Sequence, residues 1–189
     1  MLNVLLAIAT AASPADTAPD NAPRLAPEKR VETVALSPAK RAESVAPTFI
    51  ADSMVLDKSD RKLTLYSKGK LVRTYAVALG RDPVGPKQRK GDGRTPEGLY
   101  YIEARNPQSR FHLALRVSYP SREQRQRAQS IGVSPGGDIM IHGLPPAFAS
   151  VGALHRQQDW TEGCAAVTNE EIEELWRSVP NGARILIQP

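Results

Sequence analysis

Cysteine is the scarcest reactive residue of this chain: among 189 positions only Cys164 carries a thiol. A lone thiol excludes an internal disulfide scaffold and leaves the redox compartment open. Histidine is nearly as rare, with His112, His142 and His155 alone, and the three show no ligand-pair spacing with each other or with Cys164. A zinc site therefore fits poorly, and no metal or other cofactor is expected. Aromatic residues make up 5% of the chain, and none sits in a stacking motif amid basic residues. That weighs against nucleic acid as the partner of a chain with net charge +5 and pI near 9.5. The charge instead suits another acidic partner, an anionic lipid or an acidic polymer. No apolar run reaches the roughly 20 residues of a spanning helix, so no transmembrane span is expected.

The longest apolar stretch, Leu2 to Ala12, lacks a preceding Lys or Arg but has the small-residue exit of a secretory signal at Ala9-Thr10-Ala11. Residues 1–12 are read as a signal peptide, which implies export to the periplasm or cell envelope; a mis-chosen start codon or a frayed terminus is the alternative. Residues 13–47 contain no aromatic residue and are dense in Pro and Ala. Such a segment cannot bury enough apolar surface to offset its ordering and is expected to be a disordered linker. The domain is expected to span 48–189, just ahead of Phe49, the first aromatic residue.

Within it, short apolar runs alternate with turns. Met54-Val55-Leu56, Leu63-Thr64-Leu65-Tyr66 and Leu71 to Leu79 predict two successive hairpins through Ser59-Asp60 and Lys68-Gly69. Further strands are expected over Gly98–Ala104, His112–Ser118, Asp138–His142 and Ala183–Ile187, making the domain mainly β with short helices. Ser121 to Ser130 reads as a surface helix. Thr168 to Glu171 forms a capping box ahead of Ile172, Leu175, Trp176 and Val179 at helical spacing, which makes Trp176 a core residue. His112, on its strand, reads as a packed or edge residue. Gly80 to Gly98 is a long loop punctuated by Gly and Pro and carrying Arg81, Lys87, Arg89, Lys90 and Arg94. Any of these could receive a substrate carboxylate, and any could be an ordinary solvated charge.

The chemistry centres on Asp159-Trp160-Thr161-Glu162-Gly163-Cys164. A thiol becomes a nucleophile only with a base, and His142, at the end of Ile139-Met140-Ile141, is the candidate. His155 is its rival, but Arg156 and two glutamines beside it suggest a solvated surface histidine. The competing reading of Cys164 is an inert buried thiol.

Thr95-Pro96-Glu97-Gly98, Ile141-His142-Gly143, Gly163-Cys164 and Thr168-Asn169-Glu170 together resemble the catalytic, YkuD-type domain of L,D-transpeptidases. The stretch Asp159 to Asn169 looks most like the YafK-type branch. The resemblance covers roughly Thr48 to the carboxyl terminus and implies a YkuD-like β-sandwich or barrel acting on peptidoglycan stem peptides. It assigns Cys164 as nucleophile, His142 as base, the Gly143 carbonyl as the group orienting that base, and Gly163 with Cys164 as oxyanion donors. Thr161, Glu162, Arg81, Arg94 and Trp160 are the expected substrate contacts. Two positions depart from the family pattern: Glu162 replaces a second histidine, and Ala166 replaces an arginine two residues after the cysteine. A carboxylate at 162 should raise the thiol pKa and tilt a thioester toward hydrolysis, unless it points away or is paired with a loop cation. The functions implied are transfer of a stem peptide to an amine, hydrolysis of peptidoglycan or peptidoglycan–protein links with a wall-attached lipoprotein as partner, or wall binding without catalysis.

Overall fold

The computed structural model describes residues 36–189; the signal-like segment and the linker up to residue 35 lie outside them. One eight-stranded sheet runs through the domain. Its strands are β1 (Ser53–Asp57), β2 (Lys62–Ser67), β3 (Lys70–Ala76), β4 (Gly98–Asn106), β5 (Ala114–Val117), β6 (Met140–His142), β7 (Ala165–Ala166) and β8 (Arg184–Gln188), in the spatial order β3-β2-β1-β8-β4-β5-β6-β7.

The two expected hairpins are present, with Met54 on β1 opposite Leu65 and Leu56 opposite Leu63. Alternation dictates which side is buried: Met54, Leu56, Leu63, Leu65, Ile185 and Ile187 face the core, while Leu71, Leu99 and Leu186 are exposed. The nine-residue β4 joins the two halves of the sheet. Its first four residues pair with β8, and Ile102 to Asn106 pair with β5 across a register shift. A bulge at that point lets one strand bend from one half into the other, and a single buried cluster spans both.

Three helices and a 3-10 segment cover the sheet. α2 (Arg122–Ser130) starts at the Ser121 cap and α3 (Asn169–Ser178) at the Thr168 cap, each with a complete capping box. α3 buries Ile172, Leu175 and Trp176, as its periodicity requires. The 3-10 segment Pro146–Gln157 is interrupted at Gly152 and tied to the start of α3 by an Arg156–Glu171 ion pair.

The linker expected to extend to residue 47 instead contains a short helix, α1 (Pro38–Glu43), capped by Ser37. It packs on α3 by burying Ala39 and Ala42, and Arg41 pairs with Glu173 at 2.8 Å. Two alanines suffice for close helix contact, so a segment without aromatics can still be ordered by docking on a preformed face.

His112 also departs from expectation. It lies just before β5 with φ +70°, and its Nε2 meets Glu173 at 2.8 Å. A non-glycine residue in the left-handed region cannot continue a strand, and here it turns the chain so that Phe111 points toward the site.

Candidate active site

β6 and β7 run parallel at the end of the sheet, with Ile141 opposite Ala165 and His142 opposite Ala166. Cys164 is the residue that enters β7, so strand pairing fixes the thiol at the same sheet end as His142. β7 is held on its other side by Ala78, whose backbone exchanges two hydrogen bonds with Ala166. Ala166 is fully buried there, leaving no cationic side chain to reach a substrate from that position.

His142 is 2% exposed, and its Nδ1 lies 2.7 Å from the Gly143 carbonyl. A carbonyl can only accept, so Nδ1 carries the proton and Nε2 has the free lone pair of a base. Phe111 stacks on the ring with centroids 4.4 Å apart, and Trp160 meets it edge-on at 5.7 Å. Burial pushes the imidazole down to about 4, against the opposing pull of the Gly143 hydrogen bond. Gly143 is obligatory: a Cβ there would come within 2.5 Å of Asn169 Oδ1 and 2.9 Å of Ile172 Cγ2. Asn169 Oδ1 in turn accepts the Leu144 N–H at 2.7 Å, fixing the backbone just beyond the orienting carbonyl.

The thiol is partly buried and points at the Asp138 carbonyl, 3.5 Å from Sγ. Burial pushes it up to about 11, opposed by the Met140 backbone N–H and the Lys87 charge, with Asp138 adding to the rise. Near neutral pH the pair is therefore a neutral imidazole and a thiol, not a resting ion pair.

The turn before Cys164 is rigid. Thr161 Oγ1 donates to the Cys164 carbonyl at 2.8 Å and accepts the Gly163 N–H at 3.0 Å. Thr161, expected at the substrate, is buried and spends its hydroxyl on this turn. The same bond occupies the Gly163 N–H expected at the oxyanion, which leaves the Cys164 N–H as the candidate donor. Gly163 has φ +124°, and a Cβ on it would fall 2.4 Å from the Arg94 carbonyl. Gly163→Ala is accordingly expected to cost ~3 kcal/mol. A thermal melt reads this as a drop in Tm, and an unchanged Tm would show that the turn relaxes around the methyl.

Asp159 opens the motif and holds it in place. Its Oδ1 accepts the Leu79 N–H at 2.8 Å and its Oδ2 pairs with Arg61 at 2.8 Å, clamping the turn to the β1–β2 hairpin. Lys87 sits in the basic loop, nearly buried, against Asp92 at 2.7 Å. Although burial opposes it, Asp92 is held down to about 2 by the N–H groups of Arg89, Gln88 and Arg94 and by Lys87. The loop is thus built around one carboxylate and places Lys87 close enough to act on the thiol. Buried Lys58 secures its other end, donating to the Gly85 carbonyl at 2.6 Å and to Glu97 at 2.7 Å.

The remaining expected contacts divide. Glu162 and Arg81 form an exposed pair at 2.5 Å, and Glu162 is not among the groups acting on Cys164. Arg94 is engaged with Asp82 at 3.2 Å. Trp160 lines an apolar cavity with Phe111 and the 3-10 segment. His155, expected to be solvated, is half-buried against Trp160, and burial lowers its pKa; the 3-10 segment covers a ring that its polar sequence neighbours suggested was exposed. A separate cavity of about 480 Å³ is lined by Lys87, Lys90, Asp138 and Glu162 with Ser134 and glycines, and Asp138 is the residue whose carbonyl the thiol meets. Among the described residues no cluster of metal-ligating side chains occurs.

A buried, carbonyl-oriented histidine and a thiol on a rigid Gly-Cys turn thus stand at one end of the sheet. The model of the YkuD family, the L,D-transpeptidase catalytic domain, matches residues 51–187, and the chain belongs to that family. It is 31% identical over 138 residues to the Escherichia coli K12 protein named "Putative L,D-transpeptidase YafK", covering 70% of this chain and 48% of that protein. Among solved structures, a mutant of the helical cell shape determining protein Pgp2 from Campylobacter jejuni superposes with TM-score 0.58 at 25% identity, over 75% of this chain and 48% of that one. Bd1075 from Bdellovibrio bacteriovorus shares the fold, with TM-score 0.53 at 23% identity, over 74% of this chain and 48% of that one. The chain spans about half the length of the relatives it matches.

Proposed function

We propose that the domain is a cysteine acyltransferase of the cell envelope that acts on peptidoglycan stem peptides, with Cys164 as nucleophile and His142 as base. The observation that carries this reading is the 2.7 Å contact from His142 Nδ1 to the Gly143 carbonyl, because it puts the proton on Nδ1 and leaves the Nε2 lone pair free on a strand paired with the one that Cys164 enters. Nε2 takes the thiol proton as sulfur attacks the carbonyl after the third stem residue. The Cys164 N–H receives the oxyanion, and His142 returns the proton to the departing D-alanine nitrogen. The thioester that results is consumed by an amine, giving transfer, or by water, giving hydrolysis. By analogy with the name borne by Pgp2, this chemistry would serve cell shape through wall remodelling, and a wall-attached lipoprotein is one acceptor or substrate.

Intact-protein mass spectrometry after incubation with tetrapeptide muropeptides tests the reading. A single adduct with the mass of the muropeptide less D-alanine, mapped to Cys164, is expected. A protein that binds muropeptides but never gains the adduct is a wall-binding module.

The Glu162–Arg81 pair bears on the choice between transfer and hydrolysis. A carboxylate satisfied by its own arginine and exposed to solvent has little field left at the thiol. Glu162→His is therefore expected to leave the transfer-to-hydrolysis ratio within about twofold of wild type, measured by partition of the acyl-enzyme between an added amine and water. A larger shift would restore Glu162 as a determinant of outcome.

A further inference from the structure

Lys87 carries a buried ammonium whose pairing is lopsided. Its side chain is 3% exposed, and its Nζ donates to Asp92 Oδ1 at 2.7 Å. A buried ion pair of this kind is weak evidence for stability, since apolar residues of the same volume often do as well. Asp92 is fully compensated, because its oxygens also accept the Gln88, Arg89 and Arg94 N–H groups at 2.8, 3.0 and 3.1 Å. Lys87 is not: an ammonium has three donors, and among the described residues only Asp92 meets them.

Contacts carry this ammonium to Cys164 from both sides. Lys87 Cε lies against the Gly136 backbone, 3.5 Å from where a Cβ would stand, and further along the same turn the Asp138 carbonyl meets Sγ at 3.5 Å. On the other side Asp92 Oδ1 gathers Lys87 Nζ and the Arg94 N–H, and the Arg94 carbonyl lies 2.4 Å from the Cβ position of Gly163, directly before Cys164. Lys87 lines the cavity of about 480 Å³ that Asp138 borders, whereas Asp92 does not. The pair is therefore oriented, cation toward the cavity and carboxylate into the loop. The other charges on that wall are answered or solvated: Glu162 by Arg81, Asp138 by Arg116 at 3.3 Å, and Lys90 by water. Burial raises the thiol to about 11, and after the Met140 N–H it is the Lys87 charge that opposes the rise, with Asp92 not among the groups acting there.

Negative charge reaches sulfur twice in an acyl-transfer cycle. In acylation the S–H proton passes to His142 Nε2 as the C–S bond forms. In deacylation an amine or water attacks the thioester carbon and gives a proton to His142, the C–S electron pair returns to sulfur, and His142 hands the proton back. The products are an amide or an acid and the free thiol, so atoms and charge balance. Sulfur that burial makes weakly acidic is a poor leaving group, and a fixed cation in a low-dielectric site lowers its energy without any rearrangement of solvent.

We propose that Lys87, clamped by Asp92, acts through Cys164: its ammonium stabilises the thiolate that forms as sulfur attacks and again as the thioester opens. The inference rests on the acyl-transfer reading and adds to it a charge that the Cys164–His142 pair does not supply.

The test alkylates Cys164 in the full chain with iodoacetamide, which is neutral, and iodoacetate, which is anionic, and compares wild type with Lys87→Met, Lys87→Arg, Lys90→Met and the double variant Lys87→Met/Asp92→Asn. The double variant removes both charges and leaves no buried carboxylate unpaired, so it tests the charge even if the single variant does not fold. Lys87→Met should slow iodoacetamide about threefold, because a less acidic thiol gives less thiolate but a better nucleophile. Iodoacetate also loses its attraction to the cation, so the iodoacetate-to-iodoacetamide rate ratio should drop about threefold, and the same drop is expected in the double variant. Lys87→Arg keeps the charge and should hold the ratio within about twofold of wild type, as should Lys90→Met at a solvated position of the same wall. On a muropeptide, Lys87→Met should lower kcat about fivefold with KM and the transfer-to-hydrolysis ratio unchanged, because amine and water displace the same sulfur. Equal changes in the two alkylation rates would show that the pair only shapes the loop. An effect of Lys90→Met as large as that of Lys87→Met would spread the role over the whole wall, and a raised KM with normal alkylation would make Lys87 a substrate contact. Each of these overturns the inference and leaves the acyl-transfer reading standing. No adduct on Cys164 with any muropeptide overturns that reading, and this inference with it.

Discussion

Cys164→Ala is expected to lose all measurable turnover on a muropeptide, a fall of at least about 10⁴-fold, while its Tm stays within a few degrees of wild type. The two halves of this expectation have separate causes. Turnover goes because Cys164 carries the only thiol, and no neighbouring hydroxyl can replace it: Thr161 Oγ1 is committed to both ends of its own turn. Stability stays because Sγ makes only weak contacts, to the Asp138 carbonyl at 3.5 Å and with the Met140 N–H, and the strand pairing of β7 is made by backbone atoms that alanine retains. The loss of such a contact is worth about 1 kcal/mol or less. Parallel measurement of muropeptide turnover and thermal unfolding checks both halves. Retained turnover would remove Cys164 from the mechanism, and a collapsed fold would mark it as an inert core thiol.

Elements whose signals are local were legible in the sequence. The β1–β2–β3 hairpins follow from apolar alternation between turn residues, and α3 follows from its capping box and the Ile172–Leu175–Trp176 stripe. Cys164 and His142 stood out because a Gly-Cys turn and an Ile-His-Gly strand end are each unusual, and strand pairing then placed them at one sheet end. What stayed hidden depends on groups far apart in the chain. Asp159 clamps the turn before Cys164 through Arg61, 98 positions away, and Glu162 is neutralised by Arg81, 81 positions away. A carboxylate beside a nucleophile looks influential until its partner is known.

His155 and α1 show the same limit from the side of burial. Polar sequence neighbours suggested a solvated imidazole, yet the ring turns inward against Trp160 because the 3-10 segment folds over the site. Composition suggested that Pro38–Glu43 lacks the means to order, yet two alanines and the Arg41–Glu173 pair dock it on α3. Phe111 had no signal at all; only the positive φ of His112, a tertiary feature, aims its ring at the base.

His142→Gln is expected to slow acylation by ~10³-fold, the loss typical of a missing general base. A base that had already drawn the proton from Cys164 in the resting enzyme would also govern simple alkylation of the thiol. Here burial holds the imidazole down at about 4 and the thiol up at about 11, so each is neutral at pH 7 and alkylation by iodoacetamide should change by less than about threefold in the variant. A tenfold fall in alkylation would instead reveal a resting ion pair. The pH dependence carries the same signature. Wild-type kcat/KM should stay level from about pH 5 to about pH 9 and fall only as His142 gains a proton near 4, far below the 6.5 of a free imidazole. The sign for stability follows: the folded-state pKa lies below the unfolded one, so the contribution is complete above about pH 6.5 and is lost as pH falls through about 4. It is on the order of 3 kcal/mol. Tm measured across that window should therefore drop more in wild type than in His142→Gln. Equal slopes would mean that His142 is not buried as a neutral ring, and would remove the ground for its service as a poised base.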